Sequence, residues 1–135
     1  MSIIYFGWHE FDKAVEDIAQ GLNAKGITDE ITCIYGIPRG GLVLAVALSH
    51  RLSKPIELDL NKFGFNNIEN ILIVDDISDS GKTFINCCPY ARYSTATIHF
   101  VKDSAFEPDV WVRERPKDDW IVYPWEGGDV KCLEL

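Results

Sequence analysis

Two adjacent carboxylates, Asp75 and Asp76, follow an apolar run at 71–74, and a hydroxyl-rich stretch then closes on Gly81-Lys82-Thr83. Paired carboxylates accept hydrogen bonds from vicinal sugar hydroxyls, or reach Mg²⁺ directly or through water. Ser78, Ser80 and Thr83 surround Gly81 where the pattern predicts the start of a helix, and consecutive amides at such a start cradle phosphate. One loop thus offers a hydroxyl-reading end and a phosphate-reading end, a few residues apart, which suits a ribose 5-phosphate. The run Gly81-Lys82-Thr83 is not a nucleoside-triphosphatase phosphate loop. That motif needs a glycine five positions before Gly81, and Asp76 stands there, where it would face the phosphates.

A second segment, GIPRGG at 36–41, joins a β-rich run to an apolar helix. Its glycines let backbone amides approach an anion closely, and Arg39 adds a forked donor suited to a diphosphate. Alone, such a turn reads more readily as structural punctuation. A third segment, DDWIVYPWE at 118–126, sets two tryptophans and a tyrosine among acids. An exposed indole face can stack on a purine; the alternative is that Trp120 and Trp125 are core or interface residues. Lys102 ends an apolar run at 95–101, from which it could donate to a purine carbonyl. Arg113, Arg115 and Lys117 read as a solvated charged turn.

The elements that must position these residues follow from periodicity. Phe11, Val15, Ile18, Ala19 and Leu22 recur at helical spacing over 8–22, with acids near the start where the helix dipole favours them. Residues 31–35 predict a strand, 42–52 a buried helix stopped before Pro55, and 56–60 a further strand. The uninterrupted run 71–74 predicts a strand buried on both faces. A helix is expected over 82–88, a strand over 95–101, and short strands at 110–112 and 121–123. Alternation of this kind implies an α/β fold with a parallel sheet flanked by helices. Ligands in such sheets sit at the carboxyl ends of the strands, where both 36–41 and 75–83 fall.

The bulk properties narrow the function classes. The chain has 135 residues, enough for one domain, with 47% hydrophobic residues and 25% charged. A net charge of −8 disfavours non-specific nucleic-acid binding. The start of the chain has no basic, apolar leader, and no run is long enough to span a bilayer, so a cytoplasmic protein with no membrane partner is expected. Cys33, Cys87, Cys88 and Cys132 show no metal-ligand spacing and are expected as reduced thiols.

The segment ILIVDDISDSGKT at 71–83 resembles the phosphoribosyl-pyrophosphate (PRPP) signature of type I phosphoribosyltransferases. The resemblance implies that family's fold: a mostly parallel twisted sheet flanked by helices, one domain over 1–135, with a small carboxyl-terminal hood at about 103–135. It implies that Asp75 and Asp76 read ribose, that Ser78, Asp79, Ser80, Gly81, Lys82 and Thr83 hold phosphate, and that Asp79 lies near N7 of a purine as general base or acid. Arg39, Gly40 and Gly41 match the pyrophosphate loop, which in the family often holds a cis peptide, here Pro38–Arg39. The run at 120–126 is similar to that of the small xanthine-guanine members. There a lysine meets the 6-oxo group and a tryptophan stacks on the base, roles that fall on Lys102 and Trp120, with Ile121 and Glu126 beside the base. The implied activity is transfer of ribose 5-phosphate from PRPP to a 6-oxopurine (xanthine, guanine or hypoxanthine), with Mg²⁺ on the diphosphate near Asp76 and a homodimer or homotetramer as the assembly. The family's long mobile loop is reduced here to 61–70, which leaves open a PRPP or nucleotide sensor with little catalysis.

Overall fold

The strand carrying the paired acids has a neighbour on each side. In the computed structural model, which describes residues 2–60, 70–87 and 92–127, the main sheet has four parallel strands in the order β2-β3-β4-β5. These are β2 (Cys33–Gly36), β3 (Asn70–Ser78), β4 (Arg92–Phe100) and β5 (Val110–Glu114). β3 pairs with β2 from Cys33↔Ile71 to Gly36↔Val74 and with β4 from Asn70↔Arg92 to Ser78↔Phe100.

Alternation along β3 fills both faces. Leu72 and Val74 join a core with Ile18 and Leu22 of α1 (Trp8–Ala24) and Leu44 and Leu48 of α3 (Gly40–Leu52). Ile71 and Ile73 turn to the opposite side, against Cys33, Ile37 and Phe84. The expectation of a strand buried on both faces therefore holds, at zero exposure for all four residues. α1 buries Phe11, Ala14, Val15, Ile18 and Leu22 as a stripe, and its first turn is anchored by the Gly7 N–H donating to Glu10 Oε2 at 3.1 Å. The short helices α2 (Ile27–Glu30) and α4 (Lys82–Cys87) complete the α-helices among the described residues.

Three elements differ from the sequence expectation. The strand at 56–60 reduces to one parallel bridge, Ile34↔Ile56. Just beyond it the Glu57 carboxylate accepts the N–H groups of Leu58 and Asp59, both at 3.0 Å, which turns the backbone away from the ladder. β3 does not stop at Val74. It runs on through Asp75 to Ser78, because β4 continues to supply partners at Thr97, His99 and Phe100. Finally, β1 (Ile3–Tyr5), which has no expected counterpart, pairs in parallel with β6 (Trp120–Val122) as a separate two-stranded sheet.

Most of the short loop at 61–70 lies outside the described residues, as do Cys88 and Cys132. Cys33 is a buried thiol. Among the described residues no helix is long and apolar enough to cross a membrane.

Gly36 closes the packing between β2 and α3. A Cβ there would run into the Gly41 carbonyl and lie 2.8 Å from the Ala45 methyl. Gly36→Ala is therefore expected to destabilise the fold by about 1–3 kcal/mol. In urea unfolding the midpoint should fall at unchanged slope.

Candidate active site

At the carboxyl end of the sheet, three segments meet around Asp75 and Asp76. The first is the glycine turn. Ile37 donates its N–H to the Val74 carbonyl at 2.9 Å, and Gly41 donates to Ile37 at 2.9 Å, so the turn is fastened to the end of β3 and closed on itself. A Cβ on Gly40 would overlap the Asp76 carboxylate, and one on Gly41 would lie 2.5 Å from the Val74 carbonyl oxygen. Both glycines are thus required by close approach. The Pro38–Arg39 peptide is cis, as the resemblance implies, and the exposed Arg39 sits at the amino end of α3.

The acid pair itself is partly buried. The Asp76 N–H donates to Asp75 Oδ1 at 2.8 Å. Burial, then the neighbouring Asp76 charge, pushes the Asp75 carboxyl up to about 9. Burial also raises Asp76. Two carboxylates this close and this dry do not both ionise near neutrality, so the pair retains a proton. Behind it stands a neutral network: His99 Nδ1 and the Tyr123 hydroxyl are 2.8 Å apart, and that hydroxyl donates to the Asp76 carbonyl at 3.3 Å. Both bonds are satisfied if His99 carries its proton on Nδ1 and donates to Tyr123. Burial, with the Arg113 and Arg115 charges, lowers His99 to about 4, and burial holds the Tyr123 hydroxyl protonated.

The second segment is the expected phosphate loop. Asp79, Ser80, Lys82 and Thr83 are exposed around Gly81, whose φ of 84° is the left-handed conformation glycine tolerates. Ser80 Oγ accepts the Lys82 N–H at 3.3 Å, and the Ser80 carbonyl accepts from Ala105 at 3.1 Å. Ser78 differs from its expected place in this loop. It belongs to β3, is 2% exposed, and its hydroxyl donates to the Phe106 carbonyl at 2.8 Å beside Ser104 Oγ. It ties the loop to 104–106.

The third segment forms a cavity of about 110 Å³ lined by Asp76, Ile77, Asp79, Arg115, Trp120, Ile121, Tyr123 and Glu126. Trp120, Ile121, Glu126 and Asp79, all expected beside the base, come together here. Lys102 does not line it: its ammonium pairs with Glu114 at 3.3 Å, and its side chain is 67% exposed. Trp125 is a packing residue, stacked on Tyr123 at 4.9 Å and edge-on to Phe11 at 5.5 Å.

The charged turn at 113–117 is not uniformly solvated. Arg113 pairs with Asp17 of α1 at 3.0 Å. Arg115 is 7% exposed and its guanidinium donates to Asp79 Oδ1 at 3.1 Å. Only Lys117, paired with Asp103 at 3.5 Å, keeps the expected exposure. Arg115 was hidden in the sequence because alternating charges resemble a surface loop; the available signal was its place just past the carboxyl end of a parallel strand.

Three buried polar atoms have no hydrogen-bond partner among the described residues and belong to residues lining this one cavity: Arg115 Nε, Trp120 Nε1 and Glu126 Oε2. Two donors and an acceptor left dry together mark a place for a polar ligand. Burial raises the Glu126 carboxyl, partly offset by the Tyr123 backbone.

The chain is 27% identical over 143 residues to the xanthine-guanine phosphoribosyltransferase of Cereibacter sphaeroides, covering 90% of this chain and 86% of that protein. It superimposes on the purine phosphoribosyltransferase of Pyrococcus horikoshii with a TM-score of 0.74 and 28% identity, over 96% of this chain and 98% of that one. The chain resembles the type I phosphoribosyltransferases in fold and in sequence. A Neisseria gonorrhoeae protein of the same fold, solved with bound ppGpp, gives a TM-score of 0.76 at 20% identity, over 99% of this chain and 95% of that one. No family model matches the sequence. The family is one of pentosyltransferases, and the segments that carry its signatures are those that converge on the acid pair.

Asp75 supplies a stability test. Its carboxyl is raised in the fold, so its contribution is most favourable below the unfolded value near 4 and is lost as pH rises through about 9. Asp75→Asn, which cannot ionise, should match the parent near pH 4 and exceed it at pH 8 by about 1–3 kcal/mol. Denaturant unfolding at the two pH values measures the difference.

Proposed function

We propose that the chain transfers the 5-phosphoribosyl group of PRPP to a 6-oxopurine, releasing pyrophosphate. The observation that carries this reading is the cavity whose dry, unpartnered donors and acceptor stand at the edge of the acid pair. Asp75 and Asp76 face the ribose hydroxyls, which a half-protonated pair can serve as both donor and acceptor. Asp79 to Thr83 receive the 5-phosphate, and Arg39 with the amides of Gly40 and Gly41 receives the diphosphate.

In the reaction the bond between ribose C1 and the diphosphate oxygen breaks and a bond from purine N9 to C1 forms. The electron pair leaves with pyrophosphate, and the proton on N7 passes to the Asp79 carboxylate. Arg115 holds that carboxylate at 3.1 Å, fixing its place beside the base. Trp120 covers the base, with Ile121 and Glu126 at its edge.

The residues present suit Mg²⁺ held mainly by the substrate. Among the described residues no group of three His, Cys, Asp or Glu could hold a metal ion alone, whereas Asp76 and Asp75 offer adjacent carboxylate oxygens, the hard donors Mg²⁺ prefers. The ion would neutralise diphosphate charge, and Asp76 would be its protein contact, direct or through water. Because Asp75 retains a proton up to about 9, Mg²⁺-dependent PRPP binding should release a proton and tighten as pH rises from 7 to 9. Calorimetry in buffers of different ionisation enthalpy reads this.

The deciding experiment follows nucleotide and pyrophosphate formation from PRPP and Mg²⁺ with guanine, xanthine, hypoxanthine, adenine or uracil. Turnover with 6-oxopurines is expected. PRPP binding with no turnover for any base would identify a sensor instead. Asp79→Asn should keep PRPP affinity and slow transfer by about 10²–10⁴-fold. Trp120→Ala should raise the KM for the base with PRPP affinity little changed; simultaneous loss of both would make Trp120 structural.

A further inference from the structure

The lining of the base cavity includes three carboxylates, Asp76, Asp79 and Glu126, and one cation, Arg115. We propose that Arg115 reads the oxo group of the bound purine, with Lys102 outside the cavity; the inference rests on the function proposed above. Arg115 begins just after β5, its N–H donating to the Phe100 carbonyl at 3.0 Å, which fixes where the side chain starts. The side chain is 8% exposed and one terminal nitrogen is taken by Asp79 at 3.1 Å. Its Nε is buried with no partner among the described residues.

A guanidinium presents its donors in a rigid fork. With one edge held by Asp79, the rest of the fork has a fixed orientation. A buried donor left unpaired is costly, and a ligand acceptor removes that cost. A carbonyl oxygen is an acceptor only. An exocyclic amine at the same ring position is a donor, and would set N–H against N–H. Glu126 Oε2 is likewise buried without a partner, and as an acceptor it suits the ring N–H next to a carbonyl. The cavity therefore matches the lactam edge of a 6-oxopurine. Lys102, 67% exposed and 3.3 Å from Glu114, has its charge already paired in solvent.

The same guanidinium touches Asp79, so base recognition and the position of the proton acceptor share one side chain. An oxo group drawing on Arg115 leaves the Asp79 contact intact, whereas a 6-aminopurine disturbs both.

The test is equilibrium binding of IMP, GMP and AMP to the full chain, followed by tryptophan fluorescence and confirmed by calorimetry, and so independent of turnover. The parent should bind IMP and GMP at least about tenfold more tightly than AMP, the size of a hydrogen bond to a charged donor. Arg115→Met should weaken IMP by about 10–100-fold and leave AMP within about twofold, erasing the preference. Arg115→Lys, which keeps the charge beside Asp79 without the fork, should fall between them and serves if the methionine variant does not fold.

Equal affinity of the parent for IMP and AMP overturns the inference. So does a preference that survives unchanged in both Arg115 variants, or one that is lost in Lys102→Ala and kept in Arg115→Lys. If IMP, GMP and AMP all fail to bind, the proposed function falls and this inference with it. Binding that ignores Arg115 removes this inference alone.

Discussion

The close approach of the glycine turn to the end of β3 is the constraint on which the site depends. Ile37 hydrogen-bonds the Val74 carbonyl, and the faces of Gly40 and Gly41 lie directly against Asp76, Val74 and Asp75. With no side chain between them, backbone amides and two carboxylates share one small volume. A Cβ at Gly40 or Gly41 would crowd those groups. The hydrophobic packing of β3 on both faces makes this approach rigid: Leu72 and Val74 are held from one side, Ile71 and Ile73 from the other. The strand cannot slide to relieve crowding at its end without withdrawing four fully buried side chains.

Much of this was legible in the sequence, for identifiable reasons. An apolar run of strand length followed by acids and then by glycine and hydroxyls fixes a strand end, a ligand loop and a helix start with little ambiguity. The buried helix after Gly41 and the amphipathic stripe of α1 follow from spacing alone, and Gly40 and Gly41 need only their lack of a Cβ. What escaped the sequence depends on partners distant along the chain. β1 exists because Ile3, Ile4 and Tyr5 pair with Trp120, Ile121 and Val122. The extension of β3 to Ser78 depends on β4, and the loss of a strand after Ile56 on one carboxylate, Glu57.

Arg115 and Ser78 show the same limit at the level of side chains. A charged residue in an Arg-Glu-Arg-Pro run reads as solvated, yet Arg115 is buried because Asp79, 36 residues earlier, is there to receive it. A serine in a hydroxyl-rich loop reads as a phosphate ligand, yet Ser78 faces Ser104 and Phe106. Local composition states which chemistry is present in a segment. Only the fold states which atoms point at one another.

The electrostatics explain how an acidic chain suits the polyanionic substrate of the proposed reaction. The net charge of −8 is a property of the whole surface, and at the site the charges are muted one by one. Burial keeps a proton on the acid pair, raises Glu126 and keeps His99 neutral, while Arg115 offsets Asp79. In the proposed reaction the carboxylates thus serve sugar hydroxyls and the base without presenting full negative charge to a diphosphate. Arg39 and Lys82 stand exposed at the two loops, and screening by water and salt weakens the more distant surface acids there. The same burial that makes the acid pair unfavourable for the isolated fold is what, in the proposed reaction, lets it stand beside phosphates, so the cost to stability and the proposed capacity to bind arise from one arrangement of atoms.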